Sequence, residues 1–146
     1  MWYHLPVPRA ILDTNVVVAA LRSDRGASFR LLSLVGEGRF DIAVSVALVL
    51  EYEDALLRHL PHSPFDEDDL RELLDFLCKV AHRQEIFYLW RPVLRDPADD
   101  MVLELAVASR SKFIVTFNER HFAGCEAFGI RVVTPGTFLE EIGEIP

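Results

Sequence analysis

Short runs of apolar residues alternate along this chain with longer segments in which apolar residues recur every three or four positions. A run of four or five apolar residues has the length of a buried β-strand, whereas the longer spacing is typical of a helix with one apolar face. The short runs predict strands at residues 9–12, 40–44, 113–116 and 131–133, with a further candidate at 86–90.

The periodic segments predict helices at residues 27–35, 46–60, 66–82, 99–111 and 135–142. Three residues at helix ends support these limits: Gly36 is a stop signal, Asp66 is a cap, and Pro135 is typical of a first turn. The apolar positions that define the first and third of these helices are Phe29, Leu32, Leu34 and Val35, and Leu70, Leu73, Leu74 and Leu77.

Strands separated by helices favour a parallel sheet, because such a sheet is buried on both faces by its crossover helices. The alternation therefore predicts an α/β fold, a three-layer sandwich. The stretch HLPHSP at residues 59–64 interrupts the helical pattern with two prolines. Because the segments beside it are too short for separate domains, we interpret it as a loop between helices and residues 1–146 as one domain.

The composition is typical of a globular domain, since 51% of the 146 residues are hydrophobic and 26% are charged. No apolar run approaches the roughly 20 residues of a membrane-spanning helix, and the N-terminal MWYHLPVPRA lacks the pattern of a signal peptide. Cys78 and Cys125 are too few for a disulfide framework and lack metal-binding spacing. We therefore expect a cytoplasmic protein with reduced thiols and no membrane anchor.

The formal net charge of −8 excludes a protein that holds nucleic acid by diffuse attraction to phosphates, such as a DNA-packaging protein. It does not exclude a nuclease, because a divalent metal ion can neutralise acidic side chains locally. The placement of the acids along the chain therefore decides which functions stay open.

Ligands of open parallel sheets gather at the carboxyl ends of the strands. Asp13 follows the predicted first strand directly, beside Thr14 and Asn15. The same position is typical of a helix N-cap, because the sequence VVVAAL that comes next favours a helix. The sequence supports both interpretations of Asp13 equally.

A second polar group lies at the end of the predicted strand 113–116, where Thr116, Asn118 and Glu119 stand. Turn formation by itself explains Asn118 about as well as a functional role does. Because strand ends meet at one edge of a parallel sheet, this group is a candidate neighbour of Asp13.

Helix 46–60 carries two acids near its start, Glu51 and Glu53. Residues two positions apart point to different faces of a helix, so one of the two faces water. We prefer Glu51 as the functional residue, because it follows the apolar run and lies closer to the sheet edge.

Three acids, Asp96, Asp99 and Asp100, stand at the start of helix 99–111. The helix dipole stabilises an acid there by roughly 0.3–1 kcal/mol, which accounts for one Asp better than for three. We expect Asp99 at the cap to project back over the sheet edge and Asp100 to point outward towards Glu104.

Carboxylates from three distant stretches of chain, Asp13, Glu51 and Asp99, repel one another at one sheet edge unless a cation lies between them. Oxygen ligands without His or Cys spacing favour Mg²⁺ or Mn²⁺ over zinc. Such an ion keeps several waters and can activate one of them for attack on phosphorus. The residues therefore point to metal-assisted hydrolysis of a phosphodiester.

Four stretches of the sequence carry a family resemblance: ILDTNV, SVALVLEYEDAL, RDPADDMVLELA and FIVTFNERHF. In this order they resemble the successive motifs of PIN-domain ribonucleases. The similarity is greatest to the subgroup described as toxins of toxin–antitoxin pairs, the VapC-type toxins, and it extends from about residue 9 to residue 138.

The resemblance implies a parallel sheet of four or five strands, a Mg²⁺ or Mn²⁺ site, and endonucleolytic cleavage of single-stranded or structured RNA. It also implies a cognate antitoxin that covers the acidic groove, and a homodimer. Matched position by position, the metal ligands are Asp13, Glu51 and Asp99, with Asp100 as the alternative to Asp99. Many such proteins have a fourth acid where this chain has Asn118, which the resemblance assigns as a catalytic residue because its side-chain carbonyl can still bind the metal or a metal-bound water. Glu119 is the nearest acid that could compensate for the missing charge.

The resemblance further assigns Thr14, Asn15 and Thr116 as groups that orient the carboxylates or a water. The cations nearest to these motifs are Arg22 and Arg25, together with Arg120 beside His121. They are candidates for RNA contact, although surface charge explains them better. No basic stripe interleaved with aromatic residues is present, so sequence-specific reading of RNA is not expected.

Two alternatives compete with a nuclease. A catalytically weak PIN module that binds protein or RNA is favoured by Asn118 and by the net charge of −8. A phosphotransfer receiver domain requires adjacent acids after the first strand, which Asp13 lacks. Nucleotide-binding glycine loops are absent from the sequence, and a haloacid-dehalogenase-type phosphatase requires an acid where Asn15 stands.

Overall fold

The computed structural model describes residues 7–86 and 93–145. The strands of this part of the chain are β1 (Arg9–Leu12), β2 (Asp41–Val44), β3 (His82–Arg83), β4 (Phe113–Val115) and β5 (Arg131–Val133). Its α-helices are α1 (Thr14–Arg22), α2 (Ala27–Ser33), α3 (Val46–His59), α4 (Glu67–Val80), α5 (Pro97–Ala108) and α6 (Pro135–Glu141). Short 3₁₀ turns are formed by Leu60–His62, Glu119–Phe122 and Cys125–Phe128.

The five strands form one sheet in the order β3-β2-β1-β4-β5, and every neighbouring pair is parallel. In the centre of the sheet, Ala10 of β1 lies opposite Ile42 of β2 on one side and Phe113 of β4 on the other. β1 is almost completely buried between helical layers, as expected for a parallel strand covered on both faces. The predicted α/β sandwich with a parallel sheet of four or five strands is confirmed, and the sheet has five strands.

One hydrogen bond caps helix α3, and a second joins the helix to the carboxyl end of the central strand. The Ser45 hydroxyl caps its first turn by accepting the N–H of Leu48 at 3.2 Å. One turn further, the buried hydroxyl of Tyr52 donates to the carbonyl oxygen of Leu12, the last residue of β1. Burial raises the pKa of Tyr52, so this hydroxyl stays a neutral donor. The contact holds α3 against the carboxyl end of the central strand.

Two predicted segments after residue 80 differ from the structure. Helix α4 ends at Val80 because Ala81 is extended, and His82–Arg83 then pairs with β2 as an edge strand instead of continuing the helix to residue 82. A two-residue strand has no periodic pattern of its own; the free edge of β2 supplies its hydrogen bonds. Of the predicted strand at 86–90, Ile86 is not in a strand, and the remainder lies outside the described residues.

The predicted apolar face of α2 was partly wrong. Leu31 and Val35 are buried, whereas Phe29, which the sequence placed on the core face, is 40% exposed. The buried positions Ser28, Leu31 and Val35 follow the helical three- to four-residue spacing, and Phe29 falls outside it. α2 also ends at Ser33, two residues before the predicted limit.

Helix α5, which precedes β4, also begins earlier than predicted. α5 starts at Pro97, and its N-cap is Asp96, whose carboxylate accepts the N–H of Ala98 at 2.9 Å. Proline suits the first position of a helix because the helix has no partner for an N–H there. The expectation that Asp99 is the cap was therefore wrong, and Asp99 lies inside the first turn.

Cys78 and Cys125 are both free thiols. None of the helices in residues 7–86 and 93–145 is long and apolar enough to cross a membrane.

The packing of α3 predicts a contrast between two of its leucines. Leu56 is fully buried, whereas Leu50 on the same helix is 58% exposed. We expect Leu56→Ala to lower the free energy of unfolding by about 2–5 kcal/mol, because it leaves a cavity in the core. Leu50→Ala is the matched control and should cost less than about 0.5 kcal/mol. Urea denaturation measures both, and equal losses would contradict this packing.

Candidate active site

Asp13 lies at the carboxyl end of β1 with only 8% of its surface exposed. One carboxylate oxygen, Oδ1, accepts the N–H of Thr14 at 2.9 Å, which makes Asp13 the N-cap of α1. The other, Oδ2, accepts the hydroxyl of Thr116 at 2.7 Å and lies 3.4 Å from Nδ2 of Asn15. Asp13 is thus both a helix cap and the centre of a polar network, so the two interpretations of its position are compatible.

The loops after β1 and β4 are joined by this network. Asn15 donates through Nδ2 to Oγ1 of Thr116 at 3.3 Å, and its Oδ1 accepts the N–H of Phe117 at 3.3 Å. The N–H of Asn118 also donates to Oγ1 of Thr116, at 2.9 Å. These contacts follow from the sheet order, because β1 and β4 are adjacent parallel strands whose ends meet.

Glu51 of α3 reaches the same network through Thr14. The Thr14 hydroxyl donates to Oε2 of Glu51 at 3.0 Å, while the Thr14 N–H donates to Asp13. Glu53 is exposed. The structure therefore places Glu51 beside Asp13 and directs Glu53 to water, as the sequence-based preference between the two expected.

Asp99 approaches from the first turn of α5. Its side chain is 13% exposed, and Oδ2 lies 3.4 Å from Nδ1 of His121. Asp100 has a different role: its Oδ1 accepts the N–H groups of Val93 and Leu94, at 3.1 and 2.8 Å. The expectation that Asp100 points outward towards a neighbouring acid was wrong, because its carboxylate turns back to organise the loop before α5.

The three acids influence one another electrostatically. Burial raises the pKa of Asp13, against the lowering effect of the hydrogen bonds from Thr116 and Thr14. Burial also raises the pKa of Glu51, and the charge of Asp13 adds to this increase. The pKa of Asp99 is raised to about 6, first by burial and then by the charge of Asp13. Uncompensated negative charge is therefore concentrated where β1, α3 and α5 meet.

The side chains of four other predicted residues, Asn118, Glu119, Arg22 and Arg25, are not part of this cluster. Asn118 and Glu119 are exposed; only the backbone of Asn118 takes part in the network. Arg22 is at the far end of the nine-residue helix α1, about 13 Å along its axis from Asp13. Arg25 follows in the exposed loop after it. The structure does not bring these two arginines to the acids.

A cavity of about 500 Å³ opens beside Asp99. Its lining residues are Val93, Leu94, Arg95, Asp96, Asp99, Arg120, His121 and Ala123. The sequence pattern did not assign Arg95 or Asp96 to the site, although Asp96 is one of the acids at the start of helix 99–111. The signal that could have found them is their place in the loop that leads into the first turn of α5, directly before Asp99.

A divalent metal ion is compatible with the chemistry of these donors. In the described part of the chain no three His, Cys, Asp or Glu side chains form a ready-made metal-binding group. Mg²⁺, however, keeps several waters and is held in proteins by as few as one or two carboxylates. Asp13, Glu51 and Asp99 supply such carboxylates, and a cation would offset the burial of their charges and the repulsion that Asp13 exerts on Glu51 and Asp99.

Comparisons with family models and with solved structures found similarities to this chain. A family model described as a PIN domain matches residues 9–120. No curated protein sequence matches the chain. Among solved structures, a chain from the crystal structure of VapBC2 from Rickettsia felis bound to a DNA fragment from their promoter is similar, with a TM-score of 0.53 and 14% identity. The match covers 85% of this chain and 96% of that one, and at this identity it shows the fold alone.

The raised pKa of Asp99 predicts a pH-dependent stability in the absence of metal. Between the ordinary pKa of 3.8 and the folded value of about 6, the folded state holds a proton that the unfolded state has released. The contribution of Asp99 is therefore fully present at about pH 4 and is lost as the pH rises through 6. We expect Asp99→Asn to melt with the wild type at about pH 4 but at a higher temperature than the wild type at about pH 7.

Thermal unfolding in EDTA measures this difference. Asp75→Asn, which changes an exposed carboxylate on α4, is the matched control and should follow the wild-type profile at every pH. If Asp99→Asn also follows the wild-type profile, Asp99 does not sit in a cluster of mutually repelling charges.

Proposed function

This chain belongs to the PIN-domain family, and on that premise we propose that it is a Mg²⁺- or Mn²⁺-dependent endoribonuclease, the toxin of a type II toxin–antitoxin pair. The observation that carries the proposal is the electrostatic coupling of Asp13, Glu51 and Asp99 at the carboxyl end of β1. Capping of α1 explains the position of Asp13 but not the approach of Glu51 and Asp99 from two other helices. A shared cation gives that juxtaposition a function.

In this proposal, Asp13, Glu51 and Asp99 hold the metal ion. When bound, such an ion supplies an acidified water and neutralises charge that develops on the phosphate. The chain's own residues prepare the ligands: the hydroxyl of Thr116 orients Oδ2 of Asp13, and Thr14 fixes Asp13 and Glu51 relative to each other. Hydrogen bonds that fix the orientation of the ligands are typical of metal sites in proteins.

The second candidate function is a catalytically weak PIN module that binds protein or RNA. Asn118 favours it, because this position lacks the carboxylate that a fourth ligand would supply and its side chain is exposed. Calorimetric titration with Mn²⁺ separates the two functions. Binding that is lost in Asp13→Asn supports the nuclease, whereas absence of binding at millimolar concentrations supports the weak module.

The nuclease proposal predicts a contrast between two neighbouring glutamates. We expect Glu51→Gln to slow Mg²⁺-dependent cleavage of RNA by at least about 100-fold, because it removes a charged ligand. Glu53→Gln makes the same chemical change on the exposed side of the same helix and should retain the wild-type rate. Single-turnover cleavage of a labelled RNA measures both, and EDTA should abolish the activity of all forms.

The same assay contains the result that would overturn the assignment. Asp13→Asn must lose activity at least as completely as Glu51→Gln, because Asp13 lies at the centre of the network. Cleavage at the wild-type rate by Asp13→Asn, or cleavage that persists in EDTA, would mean that these acids do not hold a catalytic metal.

For the partners, we propose a cognate antitoxin that covers the acidic groove, and a homodimer. Support for the antitoxin comes from the family and from the similar structure, which is a VapBC2 complex. The homodimer rests on the resemblance to VapC-type toxins. Neither assignment depends on the metal chemistry, so each needs its own test.

A growth assay tests the antitoxin. We expect expression of this chain alone to arrest growth of its host, and expression together with the neighbouring open reading frame to restore it. Glu51→Gln is the control for toxicity that depends on the proposed site. Equal growth with and without the neighbouring gene, at equal protein levels, would argue against a toxin.

A further inference from the structure

The cavity beside Asp99 has features of a ligand site of its own. Its volume of about 500 Å³ is in the range of pockets for small molecules or for a single nucleotide. A helix with its side chains is 10–12 Å wide, so a partner helix is too large to enter such a cavity. The wall combines the apolar side chains of Val93, Leu94 and Ala123 with charged groups.

The acids of this cavity are engaged by neighbouring groups. Asp96 accepts the N–H of Ala98 as the cap of α5. Asp99 lies 3.4 Å from the ring of His121. Both acids of the cavity therefore already contact groups of the protein.

The two arginines of the cavity form no ion pair within residues 7–86 and 93–145, a property that they share with Arg9, Arg22, Arg25, Arg83 and Arg110. Five other arginines pair with carboxylates elsewhere on the surface: Arg30, Arg39, Arg58, Arg71 and Arg131. Within residues 7–86 and 93–145, neither Arg95 nor Arg120 has a carboxylate within 4.0 Å. Both side chains are exposed and line the same cavity. Two exposed guanidinium groups beside one cavity are suited to bind an anion such as a phosphate.

We propose that this cavity is the subsite for a nucleotide of single-stranded RNA next to the cleaved bond, with Arg95 and Arg120 binding its phosphate. The proposal rests on the proposed nuclease function, because it takes the cluster around Asp99 as the place of cleavage. It also explains how a chain with a net charge of −8 binds RNA: two local cations contact the backbone without a continuous basic surface.

The test is RNA binding without cleavage. Fluorescence anisotropy of a labelled single-stranded RNA of about 12 nucleotides is measured in EDTA, from low to physiological salt. We expect Arg95→Ala/Arg120→Ala to weaken binding about tenfold. The slope of log K against log salt should fall by about 0.7 for each arginine removed. Arg30→Ala/Arg71→Ala removes the same charge from other helices and is the matched control.

The outcomes separate this proposal from the nuclease assignment. Equal binding by the cavity variant and the control, or no measurable binding by the wild type at low salt, overturns the subsite. If the wild type cleaves RNA with Mg²⁺ in that case, the nuclease assignment stands alone. Arginine-dependent binding by a protein that never cleaves RNA supports the subsite as an RNA-binding site and rejects the nuclease.

Discussion

The hydrogen bond from the Thr116 hydroxyl to Asp13 is the contact on which the site depends. A carboxylate that is only 8% exposed requires hydrogen-bond donors, because burial disfavours its charged form. The donors come from two elements: Thr14 is the first residue of the helix after β1, and Thr116 follows the end of β4. Since β1 and β4 are adjacent and parallel, the sheet holds Asp13 at the edge where the other acids arrive.

The cluster of acids at the carboxyl end of β1 lowers the stability of the folded state. Burial raises the pKa values of Asp13, Glu51 and Asp99, and the charge of Asp13 adds to the increase at Glu51 and Asp99, so each is protonated more readily than an exposed carboxylate. Titratable groups with shifted pKa values are concentrated at functional sites, where the arrangement serves chemistry at the expense of stability. The surrounding core, which includes Tyr52 and the buried residues Ala10, Ile11 and Leu12 of β1, supplies stability that offsets this cost.

The start of α5 shows how one acidic stretch separates into different roles. Asp96 caps the helix, Asp99 joins the acid cluster, and Asp100 binds the backbone of the preceding loop. Arg95, which precedes them, lines the cavity with Arg120 from the turn after β4. Acidic and basic side chains thus line the same cavity. The net charge of the whole chain therefore does not describe the electrostatic field at this cavity.

The sequence by itself determined the α/β class, most strands and helices, and the polar residues that follow β1 and β4. These features depend on local signals: the spacing of apolar residues, and the glycine, proline and capping residues at the ends of helices. The sequence also favoured Glu51 over Glu53, since two positions on a helix face different ways. Only the tertiary structure decided that β4 lies beside β1, which lets Thr116 reach Asp13 across 103 positions of sequence. It alone separated the roles of Asp96, Asp99 and Asp100, formed the edge strand His82–Arg83, and placed Arg95 and Arg120 in the lining of one cavity. These features depend on which elements become neighbours, and packing energy distributed over the whole core determines that, not any local pattern.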